Sequence, residues 1–387
     1  MPIDFDRIVS RHHTASVKWD GRAGYFGTDD LIPLWVADMD FPAPPAVTEA
    51  LLQRAAHPVY GYTLTSDEVF ESLCAWLQRR HGWDIPPEWI MLSPGVVPSL
   101  HAAILALTLP QAGVIIQPPV YHPFFSAASA TERRLILNPL RLENGCYRID
   151  TAHLEQCAAE GARLLLLCSP HNPVGRVWSS AELGEVLRIA ERYGLIIVSD
   201  EIHHDLIYPG QRFIPTATLA ADSDLVITAV APSKTFNIPG LGLSALVVPN
   251  PRHRAAIRKA FALLHLGAGN PFSLTAFAAA YRDGDVWLDD LLAYLAANRD
   301  YVAEFMRRHL PAIKLIQPEG TYLLWLDCRD MQLTDEALQA FFVQQAKVGL
   351  ISGVTFGENG SGFMRMNIGA PRAVLAAALE RIAAAAG

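Results

Sequence analysis

Apolar residues recur along this chain with two different periods. Helical spacing, with apolar positions three and four apart, marks residues 46–56, 67–80, 98–108, 180–192, 252–265, 271–281, 285–309, 334–346 and 372–385. Between many of these lie short runs that are apolar at nearly every position: 113–117, 133–138, 164–168, 195–199, 225–229 and 243–248. A strand with one wet face alternates, whereas a strand buried on both faces does not. Such runs therefore predict a mostly parallel sheet covered by helices. From residue 46 to 282 helix and strand take turns, which is the α/β pattern. The C-terminal part differs: a long helix over 285–309 leads to strands near 312–316, 321–327 and 362–368, with helices after them, an α+β arrangement. The first 45 residues show little periodicity and much Pro, Trp and Asp, and are expected to lie as an arm or to join the C-terminal unit. The chain thus divides into a large α/β domain over 46–282 and a smaller α+β domain built from 1–45 and 283–387.

Composition narrows the function classes. The chain has 387 residues, 51% of them hydrophobic and 18% charged, apolar enough for a large core and not for a disordered chain. Its longer pure apolar runs fall far short of the roughly 18 residues a membrane helix needs. The start, Met1-Pro2-Ile3-Asp4, lacks a basic stretch followed by an apolar one, so no signal peptide is expected. The net charge is −8, and the basic pairs at 79–80, 133–134 and 307–308 are scattered. Nucleic-acid binding leans on a basic face, so neither nucleic acid nor membrane is the expected partner. The five cysteines (Cys74, Cys146, Cys157, Cys168 and Cys328) show no CxxC spacing and an odd count. They read as reduced, packed thiols of a cytoplasmic protein.

Four loops carry candidate chemistry. Lys234, in Ser233-Lys234-Thr235-Phe236-Asn237, follows closely on an apolar strand. Most lysines solvate a surface, but α/β sheets place their ligands at strand C-termini, and a desolvated lysine there can form a Schiff base. Asp200 closes the strand before it, where it can pair with a cationic ring nitrogen or cap a helix. Asn172 lies in Cys168-Ser169-Pro170-His171-Asn172-Pro173 with a proline on either side, and serves as a stiffly held donor or as a turn residue. Gly95 with Val96 and Val97 opens a helix, where backbone N–H groups and the helix dipole favour an anion. The pair His203-His204 raises a metal question. Adjacent side chains on one strand or helix do not face each other, so no metal is expected. The run Gly240-Leu241-Gly242-Leu243-Ser244-Ala245 fits a dinucleotide fingerprint, but it leads into a strand where that fingerprint must open a helix.

An anion cradle, an amide donor, a carboxylate and a Schiff-base lysine are together what pyridoxal 5′-phosphate (PLP) requires. With these residues the chain resembles fold-type I PLP enzymes of the class I/II aminotransferase superfamily over nearly its whole length. It is most similar to the cystathionine β-lyase (C–S lyase) branch, through Lys18-Trp19-Asp20, Leu34-Trp35-Val36-Ala37-Asp38-Met39-Asp40-Phe41-Pro42, Tyr60-Gly61-Tyr62-Thr63, Pro118-Pro119-Val120-Tyr121 and Asp200-Glu201-Ile202-His203. Three residues after the aspartate, aminotransferases usually carry a tyrosine; here it is His203. Eight residues after the lysine they usually carry a phosphate-binding arginine; here it is Gly242.

The resemblance implies a large domain with a mostly parallel seven-stranded sheet between helices. It also implies a homodimer in which Tyr62 of the partner subunit completes the phosphate site beside Gly95, Val96, Val97 and Ser233. Tyr121 would stack on the cofactor ring, with His203 nearby. Arg365, in Phe363-Met364-Arg365-Met366, would clamp the substrate carboxylate, with Val36, Ala37 and Tyr62 around the substrate. An arginine centred in an apolar strand is costly unless paired, and an internal salt bridge is the other explanation for it. The implied reaction is α,β-elimination from cystathionine or a related cysteine S-conjugate to a thiol, pyruvate and ammonia. An aminotransferase is the second candidate, and a regulatory protein retaining a PLP site the third.

Overall fold

The computed structural model describes residues 3–267 and 269–387. Helices α1 (Pro45–Ala56) and α2 (Asp67–His81) precede strand β1 (Ile90–Ser93) and helix α3 (Val96–Leu107). The remaining strands of the main sheet are β2 (Gly113–Ile116), β3 (Arg134–Leu137), β4 (Ala162–Cys168), β5 (Ile196–Asp200), β6 (Val226–Val230) and β7 (Ser244–Val247). Their order is β1-β7-β6-β5-β4-β2-β3, seven strands of which only β7 runs antiparallel to its neighbours. The periodicity explains the burial. Along β4, Leu165 and Leu167 enter one apolar cluster while Leu164 and Leu166 enter another on the opposite face. Successive strand side chains point to opposite faces, so a sheet with helices on both sides needs apolar residues at every position.

One strand departs from that expectation. β3 pairs only with β2, and Arg134 and Leu137 are exposed, so it is an edge strand and not one buried on both faces. The helix expected over 334–346 is α-helical over Asp335–Ala340 and widens to a π-turn over Phe341–Gln345. Sequence periodicity also missed β1, the helices Pro123–Ser129 and Thr151–Ala159, and the hairpin Arg141–Glu143 with Cys146–Arg148. These elements are three to nine residues long, too short for a period to show.

A second, antiparallel sheet is formed by β8 (Lys314–Ile316), β9 (Leu323–Asp327), β10 (Ile351–Ser352) and β11 (Phe363–Asn367), in the order β8-β9-β11-β10. Helix Asp285–His309 packs against helix Arg372–Ala386 beside it. The N-terminal segment joins this sheet region. Ile32 and Pro33 pair in parallel with Val348 and Gly349, and the Asn367 N–H donates to the Leu34 carbonyl. That segment is held by a buried charge network. Lys18, wholly inaccessible to solvent, donates to Asp40 at 2.7 Å, while Arg11 forks onto Asp38 (2.7 and 3.1 Å) and reaches Asp40 at 2.8 Å. Among the described residues no helix is long and apolar enough to cross a membrane.

Candidate active site

Because β1, β2, β4, β5 and β6 run in the same direction, their C-terminal ends share one edge of the sheet. Every loop singled out in the sequence leaves from that edge. Five buried residues form β6; Pro232 then takes the first turn of a short helix, Pro232–Thr235, which presents Lys234. The half-buried Lys234 Nζ donates to the Ala37 carbonyl at 2.6 Å. Burial lowers its pKa to about 8; Arg365 acts in the same sense, and Asp38 and Asp200 oppose.

Asp200, the last residue of β5, is buried and accepts from the Ile202 N–H at 3.1 Å. Burial raises its pKa to about 7 against the pull of that hydrogen bond and of Lys234. Among the described residues no cation forms a salt bridge with it. Arg365, at the centre of β11, is 5% exposed. Its Nη1 donates to Asn172 Oδ1 (3.1 Å) and Nη2 to the Trp35 carbonyl (2.9 Å), its Nε is buried without a partner, and its guanidinium lies 5.0 Å from the Phe356 ring centre. No carboxylate pairs with it among the described residues, so an internal salt bridge does not explain it. Burial brings its pKa down to about 10.

Asn172 ties two loops together: its carbonyl accepts from the Tyr121 N–H at 3.2 Å and its side-chain oxygen holds Arg365. Burial raises the Tyr121 phenol pKa, so the ring stays neutral beside Arg365 and Asp200. His203 is buried with Nδ1 unpartnered, its pKa pushed to about 3 by burial and by the nearby charges of Lys234 and Arg365. At the end of β1, Gly95 is the N-cap of α3 and no side chain caps that helix. The N–H groups of Val96 and Val97 are left free, and a Cβ on Gly95 would meet only Pro98 Cδ, at 3.5 Å, so the cradle is open to an anion. Gly242 adopts a left-handed conformation (φ 54°), and a Cβ there would lie 3.4 Å from the Pro94 carbonyl oxygen of the cradle loop; being glycine, it sends no side chain in from that position. Residues 240–245 then run into β7, as a non-dinucleotide loop should.

An unpaired buried carboxylate, an unpaired buried guanidinium, a lysine that feels both and an anion cradle belong to one chemistry, and the chain-wide comparison agrees. The family model for aminotransferase class I and II matches residues 29–382. The chain belongs to that family. It is 42% identical to cystathionine beta-lyase PatB of Bacillus subtilis over 99% of this chain and 100% of that one. Cystalysin of Treponema denticola, whose crystal structure contains pyridoxal 5′-phosphate, superposes with a TM-score of 0.95 at 37% identity, covering 100% and 99% of the two chains. The PLP-bound C–S lyase of Staphylococcus hominis gives a TM-score of 0.93 at 33% identity, covering 100% and 98%.

In this aminotransferase-family chain the structure brings together Lys234, Asp200, Asn172, Tyr121, His203, Arg365 and the backbone of Val36 and Ala37. Ser233 is half-buried beside Lys234. Tyr62 does not join them within its own chain: it is fully exposed, neither packed in a core nor near a partner group. Two participants had no sequence signature. Tyr322 donates to the same Ala37 carbonyl as Lys234, at 2.9 Å. Asn367, two residues after Arg365 and on the same face of β11, binds the Val36 and Asp38 carbonyls at 2.6 Å each. A polar residue at that spacing in an apolar strand was the available clue.

Proposed function

We propose that this protein is a PLP-dependent C–S β-lyase that cleaves cystathionine or a related L-cysteine S-conjugate to a thiol, pyruvate and ammonia. The observation that carries it is the pair of buried groups without a salt-bridge partner among the described residues, Asp200 and Arg365, both close enough to Lys234 to shift its pKa. Burying an unpaired charge is expensive, and a cationic ring nitrogen at Asp200 with an amino-acid carboxylate at Arg365 removes both penalties. Lys234, Asn172, Tyr121, His203, Ser233 and the N–H groups after Gly95 would hold the cofactor. When bound, PLP supplies an aldehyde that links to an amine and a ring that withdraws electrons from the substrate Cα.

The residues of the chain do the rest. Arg365 offers two nitrogens to the substrate carboxylate and so fixes which bond at Cα faces Lys234. Asp200 keeps a proton at the ring nitrogen. Lys234, its pKa lowered to about 8, takes the Cα proton as general base and returns it to the departing sulfur, so the thiol leaves neutral. The remaining three-carbon fragment reacts with water to give pyruvate and ammonia. Val36 and Ala37 wall the substrate, and Ala37 aims the lysine through its carbonyl.

The domain division at residues 46–282 against 1–45 and 283–387 is supported by the two sheets, which draw on residues 90–247 and 314–367. A homodimer with Tyr62 completing the partner's site is supported by the exposure of Leu52, Val59, Tyr60, Tyr62 and Leu64 along one stretch of chain. A cytoplasmic location is supported by five free cysteines.

The test is pyruvate release from L-cystathionine by PLP-loaded protein with no keto acid added. Stoichiometric pyruvate and free thiol are expected. Turnover that appears only when a keto acid is supplied would make the protein an aminotransferase.

A further inference from the structure

A second cluster of ligand-type side chains lies outside the proposed reaction site. His81, the last residue of α2, meets His204 and Asp205 from the loop after β5. His81 Nε2 is 2.8 Å from Asp205 Oδ1, His204 Nε2 is 3.3 Å from Asp205 Oδ2, and the three ligand atoms lie within 4.8 Å of one another. The cluster takes in His204 and not its neighbour His203. His81 arrives from a helix more than a hundred residues earlier in the chain, a meeting that local spacing does not encode.

The hydrogen bonding around His204 leaves a gap in charge. Its Nδ1 lies 2.6 Å from the Glu201 carbonyl oxygen. A carbonyl only accepts, so Nδ1 carries a ring proton, and Nε2 is the ligand atom of the neutral ring. Nε2 then presents a lone pair. It is buried, on a side chain 1% exposed, has no hydrogen bond, and faces a carboxylate oxygen. Two acceptors turned toward each other with no donor between them are reconciled by a cation. Asp205 is already oriented for one: Trp76 Nε1 donates to Oδ1 at 3.0 Å and Thr235 Oγ1 to Oδ2 at 2.8 Å. The Glu201 carbonyl fixes the His204 tautomer, as groups behind metal-binding histidines do. A surface cleft of about 570 Å³, lined by Arg80, Gly82, Tyr208, Arg212 and Asp289, opens onto the cluster and gives a route for an ion and room for water.

We propose that His81 Nε2, His204 Nε2 and the Asp205 carboxylate form a binding site for a transition-metal dication of the zinc class, with water from the cleft completing the coordination. Two imidazoles and one carboxylate suit zinc and disfavour magnesium or calcium. Binding moves the His81 proton that faces Asp205 from Nε2 to Nδ1, so the ring stays neutral and Nε2 presents its lone pair to the ion. Since Asp205 also holds Thr235, the neighbour of Lys234, occupancy is felt at the short helix that carries the lysine.

The test uses the PLP-loaded enzyme, dialysed against zinc and then against metal-free buffer, with retained zinc counted by mass spectrometry. Close to one zinc per chain is expected. His81→Gln keeps a donor for Asp205 but removes a ligand, and at least a tenfold loss of zinc affinity is expected. Replacing the exposed His12 and His13 by Gln should leave retention unchanged. X-ray absorption at the zinc edge of the wild-type protein gives a readout that does not depend on any variant folding. Two imidazoles among four N/O ligands at about 2.0–2.1 Å are expected. No retained zinc, equal retention in His81→Gln, or a sulfur ligand in the absorption spectrum would each overturn the proposal.

Discussion

Replacing Asp200 by Asn should stabilise the cofactor-free protein and disable the enzyme. Asp200 is buried without a cation, and its pKa stands at about 7 against an ordinary 3.8. At about 1.4 kcal/mol for each tenfold change in proton affinity, that rise amounts to roughly 4 kcal/mol. The sign follows from which state holds the proton more tightly. The native protein does, so the proton-linked stability is fully present below about pH 4 and is lost as pH climbs through about 7. Asn has the same shape and no charge, so it escapes the loss. In urea unfolding of cofactor-free protein, the variant's advantage over wild type should grow by about 2 kcal/mol between pH 5.5 and 8.5. With PLP bound the advantage should shrink or reverse, because the carboxylate then has its cation, and turnover of the variant should fall at least ~100-fold. An advantage that is the same at every pH would refute the claim that Asp200 is an unpaired buried carboxylate. Full turnover by the variant would refute its role toward the ring nitrogen.

Three further outcomes follow from the same geometry. Arg365→Lys keeps a charge but loses the planar fork; at about 1.5–3 kcal/mol per charge-assisted hydrogen bond, steady-state kinetics should show kcat/KM lower by about 10- to 100-fold, mainly through KM. Asp40→Asn takes the short ion pair from the fully buried Lys18 and leaves it Asp38 at 3.9 Å, and chemical denaturation should register a loss of about 1.5–3 kcal/mol; an unchanged midpoint would show that the network is idle. If Tyr62 serves the neighbouring subunit, co-expressing Tyr62→Ala with Lys234→Ala should yield mixed dimers more active than either parent, since one site then carries both defects and the other neither. No recovery in that assay would show that Tyr62 does not serve the partner's site.

The order of strands and helices was legible because burial writes itself into composition. Strands covered on both faces, β4 and β6 above all, must be apolar at consecutive positions, and the long helix Asp285–His309 repeats its apolar spacing for seven turns. Lys234 and Asp200 stood out for the same reason, as charged residues at the ends of apolar runs. Where burial is partial, as in β3, or elements are short, as in β1, that signal fades. Residue order alone was therefore enough to read the α/β class, the strand ends at which chemistry gathers, and residue types suited to a phosphate, a ring and a carboxylate. It took the folded chain to reveal that no carboxylate among the described residues pairs with Arg365, that the carbonyls of Trp35 and Ala37 orient Arg365 and Lys234, that Tyr62 faces outward, and that His81 meets His204 and Asp205. The reason is physical: every residue type has the same carbonyl, and whether two distant side chains meet, or a charge is left alone, depends on how the chain closes on itself.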